Sequence, residues 1–165
     1  MIETVETADR EVVTVRSQAL GTIDVPVDQM ITMCEPKAGF PDCVRYALLD
    51  HVKDDGGIDG SIYWLQAADH PYQSFVITDP WGIAPDYAPE ISDADAERLR
   101  LRSFEDARVF AILTVPSDPS MITANLRAPV VVNVAERLAK QVVLLGDEYH
   151  TRHPLRGSEE SGPGA

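Results

Sequence analysis

The chain has 165 residues, of which 44% are hydrophobic and 25% charged, and this is the size and composition of one domain that folds without a disulfide or a metal. No apolar run approaches the roughly 18 residues that span a bilayer, and the acidic N-terminus does not resemble a signal peptide, so we expect a cytoplasmic protein. The formal net charge of −13 disfavours nucleic acid and anionic membranes. It suits either plain solubility or a basic protein partner.

Short segments of alternating apolar and polar residues recur along the chain and predict strands. In chain order they are 12–15, 20–25, 30–33, 44–49, 62–65, 75–78, 109–115, 129–134 and 141–145. Residues typical of turns separate them, and 56–60 are expected to form a flexible hairpin tip. We therefore predict an all-β, mainly antiparallel fold that forms a small closed or partly open β-barrel-like domain, or a compact sandwich, with one or two short helices.

The clearest helix signal begins at Ser92, which is a good N-cap and is followed by acids in the first turn and by arginines near the end at residue 100. Ser103 is expected to cap a further helical turn, and residues 134–140 to form a loop between the last two strands. Residues 1–10 are interpreted as an N-terminal extension, 11–155 as the barrel domain, and 156–165 as a disordered acidic tail.

Catalytic and metal-binding signals are weak. His150 and His153 follow two acids, but residues three apart on an extended segment point to opposite faces, which disfavours a shared zinc ion. The sequence has no Gly-x-Ser-x-Gly motif, and Cys34 and Cys43 are interpreted as a reduced structural pair. We therefore predict no enzymatic activity, no metal and no cofactor.

The segment 121–133 is the most unusual part of the sequence, because Asn125, Arg127 and Asn133 interrupt an apolar, β-branched run. A buried amide without hydrogen-bond partners costs about 1–3 kcal/mol, so these residues mark either a structural joint or a binding site. Asn133 is expected to be structural, with its amide holding a neighbouring turn. Asn125, Leu126 and Arg127 are placed in a loop before the strand, where they would be exposed to a partner.

Aromatic residues outside the predicted strands form a second candidate surface. Trp81 and Tyr87 lie in proline-rich loops, where large aromatics are either part of the core or anchors for a partner. Together with Asp86 they are predicted to line an apolar or mixed groove.

Several of these segments together resemble the flagellar assembly factor FliW family, in the same order and at similar spacing over about residues 12–155. The resemblance is carried most specifically by Ala-Asn-Leu-Arg-Ala-Pro-Val-Val-Val-Asn at 124–133, and is supported by Tyr-Trp-Leu-Gln-Ala at 63–67, Phe-Val-Ile-Thr-Asp-Pro at 75–80 and Arg-His-Pro-Leu at 152–155. The segment 33–40 departs from the family pattern by losing a glycine and an apolar residue.

The resemblance implies a non-enzymatic β-barrel-like protein that binds flagellin in the cytoplasm. When flagellin is exported, such a protein is freed to bind CsrA, an RNA-binding translational repressor, and relieves its block on flagellin mRNA. The partners expected are thus flagellin and a CsrA-type regulator, with no direct contact to nucleic acid or membrane, and the chain is expected to be a monomer. Two alternatives stay open: a small-ligand-binding barrel or hydrolase, and a general chaperone-like binder of amphipathic helices.

Overall fold

The computed structural model describes residues 11–18, 20–35, 44–52, 58–68 and 70–155. The predicted extension at 1–10, the acidic tail at 156–165, residues 56 and 57 of the predicted hairpin tip, and Cys43 lie outside these residues, as does most of the segment that departs from the family pattern. Residues 58–60 were also predicted to belong to the hairpin tip, and this is wrong, because they begin a strand. Within the described ranges, no helix combines the length and the apolar character needed to cross a membrane.

Ten strands and one short α-helix are present in the described part of the chain. The strands are β1 Val12–Ser17, β2 Gly21–Pro26, β3 Met30–Met33, β4 Arg45–Val52, β5 Ile58–Ala67, β6 Ser74–Thr78, β7 Ala107–Thr114, β8 Thr123–Asn133, β9 Leu138–Gln141 and β10 His153–Pro154. The helix α1 covers Asp93–Arg98.

The strands from β3 to β9 form a closed barrel. Neighbours from β3 to β8 pair antiparallel in chain order, and β9 closes the ring by pairing antiparallel with β8 and parallel with β3. Strand β10 adds to the first residues of β8, and β1 and β2 form a separate hairpin. The prediction of a mainly antiparallel, closed β-barrel with a short helix is confirmed.

Apolar side chains fill the barrel interior. Tyr46, Leu65, Ile77 and Phe110 are almost completely buried there, together with alternate residues of the neighbouring strands. Because successive side chains on a strand point to opposite faces, Val130 and Val132 point inward while Val131 points outward.

A second core lies outside the barrel wall, where residues 81–101 and 142–155 cover β7 and β8. Leu99, Val131 and Leu144 are buried in it. The consecutive residues at 128–133 are therefore buried on both faces of β8, which explains why 128–132 is an unbroken apolar run rather than an alternating one. On another side of the barrel, the β1–β2 hairpin packs Val15 and Val25 against Met30 and Ala47.

The predicted helical turns are confirmed. The Ser92 hydroxyl accepts a hydrogen bond from the N–H of Asp95 at the start of α1. Ser103 and Asp106 cap a short 3-10 turn over Phe104–Asp106 through reciprocal side-chain bonds.

Several predicted boundaries are wrong, among them the start of β5, which lies at Ile58 rather than at 62, and the end of β4, which lies at Val52 rather than at 49. Strand β9 covers Leu138–Gln141 rather than 141–145, and β8 begins at Thr123 rather than at 129. The connection between β8 and β9 is a turn over residues 134–137, in which Arg137 adopts a φ of 56°. This left-handed residue lets the chain reverse sooner than the predicted loop over 134–140 would.

Candidate partner-binding surface

A large bulge interrupts β8 in the middle of the unusual segment. Phe110 of β7 pairs with Val130 and Ile112 pairs with Asn125, so residues 126–129 of β8 stand opposite Ala111 alone. Such extra residues leave backbone groups without their ladder partners. Polar residues of the segment supply other hydrogen-bond partners for these backbone groups.

The side chain of Asn125 satisfies the bulge's donors. Its Oδ1 accepts hydrogen bonds from the N–H of Arg127 at 3.1 Å and of Ala128 at 2.9 Å. Pro129 has no N–H to satisfy. The N–H of Leu126 donates to the carbonyl of His150 at 3.0 Å, which ties the bulge to the C-terminal part of the chain.

Each carbonyl of the bulge also has a donor. These donors come from two parts of the chain, residue 87 and residues 141–144: the Tyr87 hydroxyl to Leu126 O at 2.7 Å, Leu144 N to Arg127 O at 2.8 Å, the Gln141 side chain to Ala128 O at 3.0 Å, and Val142 N to Pro129 O at 2.9 Å. The backbone polar groups of residues 126–129 are therefore fully paired, as buried backbone normally is.

The placement of Asn125, Leu126 and Arg127 in an exposed loop is wrong. All three lie within β8, and Leu126 is 1% exposed and packs in the outer core. The loop prediction was wrong because asparagine and proline occur in this bulge as they do in loops. Asn125 and Arg127 are half-buried, so a partner contact by Arg127 stays a prediction, whereas the buried Leu126 side chain has no accessible surface to offer.

Trp81 and Tyr87 belong to an aromatic cluster on the outer core. Trp81 lies in the 3-10 turn Pro80–Gly82, which the Asp79 carboxylate caps, and its indole N–H donates to the carbonyl of Tyr87 at 2.8 Å. The Trp81 ring centroid lies 5.7 Å from that of Tyr87 and 6.3 Å from that of Phe104. Tyr149 completes the cluster, 4.7 Å from Tyr87.

Tyr87 is a core residue and not the exposed anchor that its loop context predicted. It is 4% exposed, and burial, with a smaller contribution from Tyr149, raises the pKa of its hydroxyl. Trp81 is half-buried, and Asp86 is exposed. The structure nonetheless brings the two predicted groups together, because the Tyr87 hydroxyl bonds the carbonyl of Leu126.

Asn133 is a structural joint, as predicted. Its amide nitrogen donates to the carbonyls of Leu99 at 2.8 Å and Arg100 at 3.2 Å, and its oxygen accepts from Glu136 N at 3.2 Å. Arg100 has a φ of 59°, so the amide fixes the reversal of the chain that follows α1. It thereby holds the helix against the barrel.

A groove rimmed by acids has two sides. One side is α1 and the segment just before it, and the other is residues 143–149. We call it the acidic groove; it encloses about 670 Å³. Its apolar residues are Ala88, Ile91, Val143, Leu144, Leu145 and Tyr149, and its acids are Glu90, Asp93, Asp95 and Glu148. A smaller cleft of about 380 Å³ adjoins it through Ala88 and Glu90, and is lined by Trp81, Tyr87, Pro89 and Phe104. Two of the three residues predicted to line an apolar or mixed groove, Trp81 and Tyr87, therefore line this cleft.

Val143 and Leu145 were not identified as candidate site residues from the sequence. They are 63% and 89% exposed, while Val142 and Leu144 between them are buried. The sequence carried a signal for this: 142–145 is apolar at every position, although a strand packed on one face buries only alternate residues. The surplus apolar residues point to solvent or to a partner.

Ion pairs attach α1 to the barrel and so fix one wall of the acidic groove. The Lys140 ammonium lies 2.8 Å from Asp95 and 3.7 Å from Glu35, and its side chain is only 14% exposed. Arg98 pairs with Glu35 at 2.8 Å and donates to the carbonyl of Cys34 at 3.3 Å. The helix is thus held by charges at both its ends.

Groups suited to catalysis or to metal binding are scarce at this surface. Across the described ranges, no cluster of three or more His, Cys, Asp or Glu residues is arranged to hold a metal ion. Cys34 is a free thiol whose pKa is raised by burial, which is the opposite of what a reactive cysteine needs.

Comparison with known proteins points to one family. The FliW protein family model matches residues 14–155. The flagellar assembly factor FliW of Bdellovibrio bacteriovorus is 34% identical over 86% of this chain and 78% of its own length, and that of Treponema pallidum is 36% identical over 86% and 90%. The relative from Natranaerobius thermophilus is 37% identical over 86% of this chain and 91% of its own length.

A solved structure agrees in fold as well as in sequence. A crystal structure of the flagellar assembly factor FliW superposes with a TM-score of 0.76 at 29% identity, covering 86% of this chain and 96% of that one. The residues of the bulged strand, the aromatic cluster and the acidic groove all lie within the range 14–155 that the family model matches. The chain therefore belongs to the FliW family of flagellar assembly factors.

Proposed function

We propose that this protein acts in the cytoplasm by binding, without catalysis: it captures flagellin before export and, when flagellin leaves, binds a CsrA-type translational regulator and relieves its repression of flagellin mRNA. The observation that carries the proposal is membership of the FliW family over residues 14–155. The chain would in this way couple flagellin synthesis to filament assembly.

The charge of the chain supports a basic partner. A regulator that holds RNA phosphates must present basic residues, and a net charge of −13 speeds its encounter while repelling the RNA itself. The acidic groove adds local complementarity, since Glu90, Asp93 and Glu148 surround exposed apolar residues. A partner with apolar residues flanked by lysine or arginine fits such a surface.

The structure gives little support to the small-ligand alternative. Tyr46, Leu65, Ile77 and Phe110 fill the described interior of the barrel. A cleft of about 280 Å³ remains at one barrel end, but charged residues, among them Asp50, Arg108 and Arg137, line its opening. Ligand sites are usually larger, enclosed and mostly apolar.

Affinity purification from the native cell tests the proposal most simply. The tagged full chain is expected to recover flagellin, and an unrelated acidic protein of similar size and charge serves as the control. Flagellin recovered equally by both baits, or by neither, would contradict the proposal. Unrelated amphipathic peptides that displace flagellin would instead favour the general chaperone-like alternative.

The regulator is tested separately with purified CsrA. Its affinity for the chain is expected to fall as salt rises from about 0.05 to 0.5 M, because screening weakens the attraction between opposite charges. Added flagellin is expected to lower the amount of CsrA bound. Affinity that is constant across the salt range would count against electrostatic steering.

A further inference from the structure

We propose that the acidic groove binds an extended, basic segment of a partner protein by strand addition to the backbone edge at Val143 and Leu145. This inference deepens the proposed function, on which it rests, by naming how a partner is held. It places the contact on backbone groups as well as on side chains.

The first step is the hydrogen bonding of residues 142–145. The N–H groups of Val142 and Leu144 donate to the carbonyls of Pro129 and Arg127, which extends the pairing of β9 with β8 beyond Gln141. In an antiparallel ladder the residues between such pairs direct their N–H and C=O to the other side. Within the described ranges, no hydrogen bond uses these groups of Val143 or Leu145. We call these groups the open edge.

The second step is the position of that edge. Strand β3 pairs with β9 at Leu138 and Ala139. The carbonyl of Cys34, the residue after β3, accepts a hydrogen bond from the Arg98 guanidinium. Strand β3 ends at Met33, and among the described residues no strand pairs with the chain after β9 on this side. The acidic groove is lined by Val143 and Leu145 and also by residues 90–93 and 95. Val143 and Leu145, which carry the open edge, therefore line a groove of about 670 Å³.

The third step is the chemistry of the occupant. The side chains of Val143 and Leu145 are 63% and 89% exposed, so the occupant must bring apolar residues to cover them. The exposed acids Glu90, Asp93 and Glu148 require lysine or arginine beside those residues. An extended segment with alternating apolar and basic residues satisfies both demands, because alternate side chains of a strand point to opposite faces.

The ends of this same chain are poor occupants. Residues 1–10 contain three acids and one arginine, and residues 156–165 contain two acids and one arginine, so each carries a net negative charge. The acids of the groove would repel them. A separate basic chain is the occupant that the charges select.

The experiment uses the full chain and a nine-residue peptide of alternating lysine and valine with blocked ends, titrated by fluorescence anisotropy. Val143→Pro removes one N–H of the open edge, and it is expected to fold because that N–H has no partner among the described residues and proline is tolerated on an edge. Val143→Ala keeps the N–H and shortens the side chain. We expect Val143→Pro to weaken peptide binding about tenfold and Val143→Ala to weaken it about threefold or less.

Peptide controls separate strand addition from other modes. The same peptide with glutamate in place of lysine is expected not to bind, and a helical peptide of the same composition is expected to bind weakly. Equal binding by Val143→Pro and Val143→Ala, or tighter binding of the helical peptide, would overturn the inference. So would a salt-resistant dimer of the chain that Val143→Pro dissociates, because the occupant would then be a second copy.

Flagellin and CsrA distinguish this inference from the proposed function. If the natural chain binds either protein but Val143→Pro binds it as tightly, strand addition is wrong and the proposed function stands. If the natural chain binds the peptide but neither protein, the proposed function fails. The inference that the groove binds an extended basic segment would still stand.

Discussion

Two neighbouring stretches of backbone, the bulge at 126–129 and the open edge at 143–145, differ in how their polar groups are used. Every N–H and C=O of the bulge is paired, with Tyr87, Asn125, residues 141–144 or His150, while the open edge has no partner in the described residues. The bulge is the segment that the sequence made look like a binding site. The difference shows that polar residues in an apolar run can mark backbone groups that need side-chain hydrogen-bond partners. Apolar residues in excess of those the core buries mark a surface that a partner can cover.

The largest expected effect is from Asn125→Ala, which removes the acceptor for two N–H groups of the bulge. Each partly buried N–H left unpaired costs about 1–3 kcal/mol, so we expect the free energy of unfolding to fall by about 2–4 kcal/mol. Urea denaturation followed by tryptophan fluorescence measures this. Asn125→Asp keeps an acceptor oxygen and is the matched control. A loss as small as that of the control would return Asn125 to a partner-binding role.

Tyr87→Phe is expected to have the next largest effect, because it leaves the buried carbonyl of Leu126 without its donor. The expected loss is about 1–2 kcal/mol in the same urea experiment. Tyr149→Phe is the control, since the N–H of Ala88 that it frees lies at an exposed residue. Equal losses in the two variants would show that the bulge does not depend on Tyr87.

Much of the fold was predictable because it follows from local patterns. Alternation identified most strands, and the Ser92 and Ser103 caps identified both helical turns correctly. The β8 bulge was not predictable from alternation, because its register is set by pairing with β7, more than ten residues away in sequence. The same holds for the start of β9, which depends on the left-handed Arg137.

The candidate surface was predictable only in part. Trp81, Tyr87 and Leu126 were recognised as unusual, but whether a loop aromatic is buried depends on what packs over it, and here Tyr149 and the bulge do. Leu145 was missed because its exposure depends on β3 ending beside β9, which is a tertiary fact. The run of apolar residues at 142–145 was the available signal.

Asp95→Asn is expected to have a smaller effect on stability, because Lys140 retains Glu35 at 3.7 Å. A loss of about 1 kcal/mol in 0.05 M salt, shrinking in 0.5 M salt, is expected for a partly exposed pair. Asp93→Asn is the control, since Asp93 is exposed in the same helix turn. A loss independent of salt would mean that the pair does not hold α1 on the barrel.

Arg127→Ala is expected to change stability least, by about 0.5 kcal/mol or less, because the polar groups of the bulge depend on the Arg127 backbone and not on its side chain. Its predicted role in partner binding is tested by titrating flagellin against this variant and against Arg127→Lys. Weaker flagellin binding by Arg127→Ala alone would extend the binding surface from the open edge to the bulge. Unchanged binding would make the bulge wholly structural.

Hydrogen–deuterium exchange compares the bulge and the open edge within one sample. In the free protein the amides of Arg127, Ala128, Val142 and Leu144 are expected to exchange slowly and those of Val143 and Leu145 quickly, because only the first group has hydrogen-bond partners in the described part of the chain. On adding flagellin or CsrA, we predict that the amides of Val143 and Leu145 become protected while the bulge is unchanged. Protection that appears in the bulge and not at the open edge would contradict the account.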